Sequence, residues 1–457
     1  MSKSVLILEL NEFNVELLTS ATQTYDLPFL SKVLKMPRAN YKMPDKYNSG
    51  FLEPWVQWVS IHAGVPSHSH QIKHLGDVPD LAFEQCWETL SRHGITTGIW
   101  GVMNGAKRSA KHTAFFLPDP WTFSESAHPS ELNHLLDLPR YISKNYQSLN
   151  KFSLIGKSLK LLKFIFASGA ALGIMKETLS LLKNIIRHGK KHFVFISYFD
   201  YISTLLFTEY KQKYQPQCSI IFLNSLAHLQ HHHWKKGTKS VTPEILFGLQ
   251  YIDKILAYLF KRFPQDAIVV HNGLSQMNTN HETPWVLYRQ KDPIKLLHAL
   301  EIPVTQVEQH MTHDGHLFFA SSQDCENAFA KLKNATINGQ ALFHVEKNDS
   351  DDRKLFTMLS FTDALEDKNI TFTYDNKKFP FFEHFDEIVT RTGRHIPIGT
   401  IYSDTVSFQE IVHNHDFNQY LFHYLLPTHF PYPEKEQEIS LDAPVDELIS
   451  EPVVCSQ

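Results

Sequence analysis

The stretch Asn224-Ser225-Leu226-Ala227-His228 follows the apolar run Cys218–Leu223 and leads into three more histidines at 231–233. A second stretch, Gly393-Arg394-His395, comes much later in the chain. Each places an imidazole just after a predicted buried strand, although the first apolar run could also begin a helix. Ligands collect at the carboxyl edge of an open α/β sheet. The two stretches together predict a metal-dependent hydrolase built on one large sheet.

Length and charge narrow the class of protein. The 457 residues, 42% of them hydrophobic, suffice for one large α/β domain with insertions or for several smaller domains. The formal net charge is −4, so no global basic field favours nucleic acid, and we expect no nucleic-acid partner. The 27 histidines favour metal or proton chemistry.

The cysteines indicate a reducing compartment. Four are present, widely spaced and without a C-x-x-C pair: Cys86, Cys218, Cys325 and Cys455. This spacing disfavours a disulfide framework or a zinc ribbon and predicts reduced thiols in the cytoplasm. The N-terminal apolar run has only four residues before Glu9, which is too short for a signal-peptide core.

Predicted buried strands alternate with helices along the chain. Residues 5–8 (VLIL), 192–198 (HFVFISY) and 267–270 (AIVV) are apolar runs of strand length, and the last ends at His271-Asn272-Gly273. A helix is predicted to begin at Glu53-Pro54, since proline is tolerated in the first turn. The alternation predicts an α/β fold with a doubly wound, mostly parallel sheet.

Changes in the pattern of apolar and polar residues divide the chain into several predicted units. An α/β core is predicted over residues 1–125, 191–291 and 382–430, with a helical cap insertion at 126–190 and a small α+β insertion at 292–381. Residues 431–457 are rich in Glu, Asp and Pro and predict a disordered acidic tail.

Residues 152–182 are apolar and helical but are interrupted by lysines. These are Lys157, Lys160, Lys163 and Lys176. No clean run of about 20 apolar residues is left for a transmembrane helix, and we expect none. Two interpretations stay open, a cap helix that covers the core and a helix that contacts a membrane surface.

Polar side chains at the predicted strand ends are expected to meet at one edge of the sheet. They are Glu9, Asn224, His228, His271, Asn272 and His395. Carboxylate, amide and imidazole are ligands that zinc, manganese or magnesium accept. Two such ions would clamp the attacking and leaving oxygens of a phosphoryl or sulfuryl transfer, but neither the number nor the identity of the metal follows from the sequence.

The order of these segments resembles the alkaline-phosphatase superfamily, most closely its type I phosphodiesterase/nucleotide pyrophosphatase and sulfatase-like branches. Glu9 ends the first strand where that family has a metal-binding Asp. Residues 58–66 (WVSIHAGVP) are similar in residue pattern to its nucleophile helix. Residues 224–228 match the spacing of its Asp-x-x-Gly-His motif, and Gly393-Arg394-His395 with Gly399 resembles its late Gly-x-His. The resemblance covers roughly residues 4–105, 190–285 and 385–405.

The resemblance implies an alkaline-phosphatase-like fold and a divalent metal. It also implies a phosphate or sulfate ester substrate, small-molecule or glycan-linked. This sequence departs from the family pattern where the family's Asp is Asn224, where its Ser-Asp-His-Gly is residues 270–273 (VHNG), and where its nucleophile position is Pro54. We therefore expect a water, Ser60 or Glu53 to be the attacking group, and we favour the water.

The proton would be moved by a histidine that follows the strand 218–223. On a helix, His228 shares a face with His231 and His232, so either of the two could join the site. We expect His228 or His232 to act as the acid or base.

A binding protein without activity is the alternative. The loss of charge at Asn224 and Asn272 favours this alternative, and fold alone does not decide between an enzyme and a binding protein. A retained polar cluster of Glu9, His228 and His395 opposes it. Several candidates also have ordinary structural interpretations, namely a backbone cap for Glu9, a helix-dipole charge for Glu53 and a packed hydroxyl for Ser60.

Overall fold

The computed structural model describes residues 3–45, 51–145, 150–234, 241–279, 285–310, 313–348 and 350–433. The predicted acidic tail lies, from residue 434 onward, outside the described residues. The helical and strand segments below are those of the described ranges.

The strands fall into one large sheet and several small ones. They are β1 (Val5–Leu10), β2 (Arg38–Lys42), β3 (Thr97–Trp100), β4 (Thr113–Leu117), β5 (Cys218–Leu223), β6 (Ala267–His271), β7 (Ser275–Asn278), β8 (Trp285–Gln290), β9 (Gln306–Gln309), β10 (Asp314–Phe318), β11 (Thr336–Ile337), β12 (Gln340–Ala341), β13 (Phe343–Lys347), β14 (Lys354–Leu359), β15 (Thr371–Tyr374), β16 (Lys377–Pro380), β17 (Phe385–Arg391), β18 (Gly393–Ile396) and β19 (Ile398–Ser403).

Most of the helices flank the large sheet. They are α1 (Val15–Thr24), α2 (Pro28–Leu34), α3 (Pro54–Ala63), α4 (Ser67–His70), α5 (Cys86–Arg92), α6 (Asn133–Asn145), α7 (Lys151–Ala167), α8 (Ala171–His188), α9 (His192–Tyr214), α10 (Ser225–His233), α11 (Pro243–Arg262), α12 (Pro293–Ala299), α13 (Ser322–Lys333), α14 (Phe381–His384) and α15 (Phe417–Leu425). Short 3-10 turns occur at Val78–Asp80, Ser130–Leu132 and Asn414–Asp416.

The central sheet is mostly parallel, as predicted. Its seven strands have the order β2-β19-β6-β1-β5-β3-β4. The five strands from β6 to β4 run parallel, while β19 runs antiparallel to both β6 and β2. Helices cover both faces, so the predicted doubly wound α/β class is confirmed.

The two faces of the sheet bury separate apolar clusters. Leu6, Leu8 and Leu10 of β1 belong to the cluster that also contains residues of α1, α2, α9, α10 and α11. Val5 and Ile7 belong to the cluster with α3, α5 and α15. Because side chains alternate along a strand, Glu9 points to the same face as Val5 and Ile7. This alternation decides where the Glu9 carboxylate lies.

A third apolar cluster belongs to the segment from Val286 to Phe385. Two four-stranded antiparallel sheets, β13-β14-β10-β9 and β12-β11-β15-β16, build this segment together with α12 and α13. Strand β17 pairs with β8, and β18 pairs with β7, which returns the chain to the edge of the central sheet.

The prediction of a strand at 192–198 is wrong, since these residues form the first two turns of α9. Helix α9 packs against both α8 and α11 and buries residues on several sides, among them Phe193, Val194 and Ser197. A helix that is covered on several sides has apolar residues all round and not along one stripe. The sequence at its start is therefore a continuous apolar run, which is also typical of a buried strand. Residues 218–223, for which helix was an alternative, form strand β5.

Residues 152–182 fall in two helices, α7 and α8. In the part of the chain described above, none of the helices is both long and apolar enough to cross a bilayer.

Candidate metal centre

Three side chains from distant parts of the chain converge beyond the carboxyl end of β1. Glu12 follows β1, His231 lies in α10 and His395 lies in β18. The Oε2 atom of Glu12 is 3.0 Å from Nε2 of His231 and 3.0 Å from Nε2 of His395. One ligand atom from each residue lies within 4.8 Å of the others. Within the described ranges, this is the cluster of acidic, His or Cys groups that meets the spacing of a metal site.

The backbone holds Glu12 in an unusual conformation. Its φ is 61°, in the left-handed region that non-glycine residues seldom adopt. Hydrogen bonds fix it there, since its backbone N–H donates to the Asn272 carbonyl (2.9 Å) and Gln230 Nε2 donates to its carbonyl (2.7 Å). The carboxylate accepts further hydrogen bonds from Asn11 Nδ2 (2.7 Å) and Gln276 Nε2. Strain of this kind persists where the surroundings enforce it and is concentrated at functional sites.

Contacts between α10 and the chain before β18 bring His231 to the site. The backbone N–H of Thr392 donates to the His231 carbonyl (2.7 Å), and the Trp234 N–H donates to Thr392 Oγ1 (2.9 Å). On the neighbouring ladder, His395 pairs with Gln276 of β7, so both side chains reach the Glu12 carboxylate.

The tautomer of His231 is determined by its backbone contact. Its Nδ1 lies 3.0 Å from the Gly393 carbonyl, which can only accept, so Nδ1 carries the hydrogen. Burial lowers the pKa of His231 although the negative charge of Glu12 acts in the opposite direction, and the lowered pKa favours the neutral ring. A neutral ring protonated at Nδ1 presents the lone pair of Nε2 to the Glu12 carboxylate. Metal-binding histidines commonly donate the other ring N–H to a carbonyl or carboxylate in this way.

His395 lies between two carboxylates. Its Nε2 faces Glu12, and its Nδ1 is 3.5 Å from Glu53 Oε2. Burial alone would lower the pKa of His395, but the charges of Glu12 and Glu53 outweigh it and raise the pKa. Burial likewise tends to raise the pKa of Glu12, yet the charge of His395 and the hydrogen bond from its ring hold that pKa well below its usual value. Glu12 is therefore ionised, as a metal ligand must be.

Glu53 is the N-cap residue of α3 and is partly exposed beside the cluster. Removal from water raises the pKa of its carboxyl, although the charges of His395 and Arg391 act in the opposite direction. The predicted helix start at this residue is confirmed, and Gly64 ends the same helix with a φ of 68°.

A second group of polar residues lies beside the metal cluster. Asn11 Nδ2 donates to Asn224 Oδ1 (2.8 Å), and Asn224 Nδ2 is 3.3 Å from His228 Nε2. The rings of His228 and His232 stack with centroids 6.2 Å apart. Burial lowers the pKa of His228 to about 4 and that of His232 to about 2, so both are neutral near pH 7. Asn224, His228 and His232 thus lie near the cluster but are not among its three residues.

Glu9, which we predicted as a ligand, lies on the other side of the strand. Its Oε1 is 2.7 Å from Nε2 of His62, and both side chains are 1% exposed. Burial raises the pKa of Glu9 even though the His62 charge opposes the change. The structure places this carboxylate beneath α3, in the apolar layer, because it alternates with Leu8 and Leu10.

The predicted ligands His271 and Asn272 have structural contacts. The His271 ring stacks on Phe417 (4.7 Å between centroids) and meets Trp58 edge-on (4.9 Å). Asn272 Nδ2 donates to the Phe13 carbonyl (2.8 Å), and Oδ1 accepts from the Thr400 N–H (2.8 Å). The Asn272 amide thus uses both of its polar atoms in hydrogen bonds to the backbone and links β19 to the loop after β1.

Ser60 is buried inside the protein, where its hydroxyl contacts a histidine outside the cluster. It is 1% exposed, and its Oγ lies 2.9 Å from Nε2 of His70. His70 Nδ1 accepts from the Ile72 N–H (3.0 Å), so the hydrogen of the neutral ring is on Nε2 and is donated to Ser60. In this tautomer His70 has no lone pair with which to activate the hydroxyl as a nucleophile.

Sequence reasoning missed Glu12 as a candidate ligand and left His231 as one of two options. Strand β1 continues to Leu10, two residues beyond its predicted end, because Leu10 pairs with Leu223 of β5. Glu9 is therefore inside the strand and Glu12 is the acidic residue that follows it. Glu12 lies only three residues after Glu9 in the sequence. A correct prediction of the end of β1 would have identified Glu12, and not Glu9, as the acidic residue that follows the strand.

The fold and the cluster define an α/β protein with a carboxylate–imidazole centre at the carboxyl edge of its sheet. No protein-family model and no curated protein sequence matches the chain. Among solved structures, an inactive variant of murine ectonucleotide pyrophosphatase/phosphodiesterase 5 in complex with AMP is similar, with a TM-score of 0.42 and 10% identity over 95% of this chain and 97% of that one. The human protein gives the same values.

Phosphonoacetate hydrolase from Sinorhizobium meliloti, in complex with phosphonoformate, is also similar. Its TM-score is 0.42, with 13% identity over 93% of this chain and 95% of that one. These similarities are similarities of fold alone, at low sequence identity.

Proposed function

We propose that this protein is a hydrolase of phosphate or sulfate esters that uses one divalent metal ion held by Glu12, His231 and His395. The observation that carries the proposal is the contact between His231 and Glu12. With Nδ1 bonded to the Gly393 carbonyl, a neutral His231 directs a lone pair at a carboxylate oxygen 3.0 Å away. Two acceptors at this distance repel each other unless a cation lies with them.

The donor set fits a divalent metal. One carboxylate and two imidazoles are the donors of many catalytic zinc sites, which keep further positions open for substrate or water. Zinc is the first expectation, with manganese or magnesium as alternatives. Glu12 is ionised and His231 is neutral, so two of the three ligands are already in the state that binds metal. His395 has to release a proton first.

When bound, the ion would supply Lewis-acid polarisation of a phosphoryl or sulfuryl oxygen. Glu53, whose pKa is raised by burial and which lies beside His395, would take a proton from an attacking water. Arg391, whose guanidinium lies 3.9 Å above the Trp285 ring, contributes positive charge to the same region and suits an anionic ester. We favour the water over Ser60 as nucleophile because Ser60 is the acceptor of the His70 hydrogen bond.

The substrate class rests on the resemblance found in the sequence. We expect a small-molecule or glycan-linked ester of phosphate or sulfate. We also propose a cytoplasmic location, since the cysteines that the structure describes, Cys86, Cys218 and Cys325, are free thiols.

A binding protein without catalysis is the second candidate. Glu12 already receives hydrogen bonds from Asn11 and Gln276 in addition to its two histidine contacts. A carboxylate that already accepts these hydrogen bonds, next to the uncharged Asn224, also suits a site that binds a metal or an anion and catalyses no reaction.

Metal content and turnover together test the proposal. The protein purified without chelator should hold close to one zinc, manganese or magnesium ion per chain and should hydrolyse an aryl phosphate, a phosphodiester or an aryl sulfate. Glu12→Gln, His231→Gln and His395→Gln should each lose the metal and the turnover, whereas His271→Leu should retain the metal. Bound metal without turnover of any ester would favour the binding protein, and a protein that binds none of these metals would exclude the metal-dependent hydrolase.

A further inference from the structure

Helices α7 and α8 each carry an apolar stripe on their exposed surface. The residues in α7 are Phe152, Ile155, Leu159, Leu162 and Phe166, and those in α8 are Leu172, Met175, Leu179, Leu182 and Ile186. Spacings of three and four residues alternate along both stripes, so each stripe lies on one face of its helix. All ten side chains are between 47% and 87% exposed.

The other faces of the α7–α8 hairpin, residues 151–188, are attached to the protein, so the stripes remain on the outside. Helix α8 buries Ile174 and Leu181 and contacts α9, and α7 contacts α6 but buries none of its residues. The turn between the two helices is held by Glu209 of α9, which accepts hydrogen bonds from the Gly169 and Ala170 N–H groups (2.7 and 3.2 Å). Contiguous exposed apolar patches mark interaction surfaces in proteins.

The same segment concentrates positive charge. Residues 151–191 contain nine basic residues, Lys151, Lys157, Lys160, Lys163, Lys176, Lys183, Arg187, Lys190 and Lys191, in a chain whose net charge is −4. The one acidic residue of this segment, Glu177, is buried and bonded to Tyr251 Oη (2.8 Å) and Lys254 Nζ. The exposed charge of the hairpin is therefore entirely positive.

We propose that the α7–α8 hairpin, residues 151–188, docks on an anionic phospholipid surface. Its apolar stripes would enter the boundary between headgroups and acyl chains, and the lysines beside them would contact the headgroup phosphates. A second copy of this chain is the other occupant that could cover the stripes. It would place two strongly basic segments face to face, and like charges at an interface are repelled. An anionic surface has the complementary charge, and each basic residue near it adds to binding.

Co-sedimentation of the full chain with vesicles tests this proposal. Vesicles of equal parts phosphatidylcholine and phosphatidylserine should bind the protein at least about tenfold more tightly than pure phosphatidylcholine, with weaker binding as salt increases. Lys160→Glu with Lys163→Glu should lower binding by about tenfold or more, and so should Leu159→Gln with Leu179→Gln.

Matched controls are available on the segment from Val286 to Phe385 and next to it. Lys295→Glu with Lys377→Glu makes the same change of net charge, and Ile294→Gln with Ile388→Gln removes two exposed apolar side chains elsewhere. Both control proteins should bind the vesicles as the unaltered chain does. Circular dichroism would establish that every variant keeps its helix content, which is expected because the altered side chains are exposed.

Three results would overturn the proposal. They are equal binding to both kinds of vesicle, equal losses in the hairpin and control variants, and a dimer that Leu159→Gln with Leu179→Gln dissociates while no vesicles bind. Glu12→Gln, which alters the proposed metal centre, should leave vesicle binding unchanged. Failure of the hydrolase proposal is thus separable from failure of this one.

Discussion

His231 and Glu12 meet through atoms that are both acceptors when the imidazole is neutral. Nε2 of His231 lies 3.0 Å from Oε2 of Glu12, and the Gly393 carbonyl holds the ring hydrogen on the opposite nitrogen. Burial that favours the neutral ring therefore makes this contact unfavourable in the absence of a cation. A metal ion would convert the repulsion into two coordinate bonds and would couple metal binding to stability.

Zinc should raise the thermal stability of the protein. A ligand that binds only the folded chain at about 100 times its Kd stabilises it by about 2.7 kcal/mol. Differential scanning calorimetry should show a higher Tm with zinc for the unaltered chain and no zinc-dependent shift for Glu12→Gln. An equal shift in that variant would place the metal elsewhere.

Glu53→Gln should separate metal binding from turnover. The Glu53 charge contributes to the raised pKa of His395, so its removal should make His395 easier to deprotonate and should maintain or increase zinc affinity at pH 7. Loss of a general base should lower kcat by about 10² or more. Zinc titration and initial rates measure the two quantities, and Glu53→Asp should recover part of the rate. Unchanged kcat in Glu53→Gln would assign the proton transfer to another group.

Ser60→Ala should retain activity within about twofold, because the Oγ accepts a hydrogen bond and is not activated. The loss of this buried hydrogen bond should lower the free energy of unfolding by about 1 kcal/mol. Steady-state rates and urea unfolding measure the two effects. A loss of several orders of magnitude in kcat, together with a phosphoryl-enzyme trapped on the unaltered chain, would instead support a covalent serine mechanism.

His271→Leu should stabilise the protein, and the gain should grow as the pH falls. No protein group in the described ranges hydrogen-bonds either ring nitrogen of this residue, and burial lowers its pKa to about 3. Below about pH 6.5 the unfolded chain takes up a proton that the folded chain does not, so native stability decreases on acidification.

In His271→Leu, residue 271 takes up no proton on unfolding, so this loss of stability at low pH is absent. Relative to the unaltered chain it should gain up to about 1.4 kcal/mol for each pH unit below about 6. Urea unfolding at several pH values measures the difference, and the exposed His298→Leu serves as the control. A difference that does not vary with pH would show that His271 has the same pKa in the folded and the unfolded chain.

Much of the architecture could be predicted from local sequence. The runs at 5–8 and 267–270 are strands of the central sheet, and the helix that begins after Glu53 does so because proline suits the first turn. Their alternation with helices sufficed for a mostly parallel α/β class. The strand prediction for residues 192–198 is wrong because their aromatic and β-branched side chains are typical of strands. Packing of this helix between α8 and α11 overrides that local preference.

The sequence by itself determined the class of fold, the edge of the sheet at which polar groups collect and the presence of His395 there. Only the tertiary structure decided between Glu9 and Glu12, and between His231 and its neighbours on α10. The reason is geometric. Pairing of Leu10 with Leu223 extends β1, and the alternation of a strand then buries Glu9 beneath α3 while the turn that follows directs Glu12 towards the histidines.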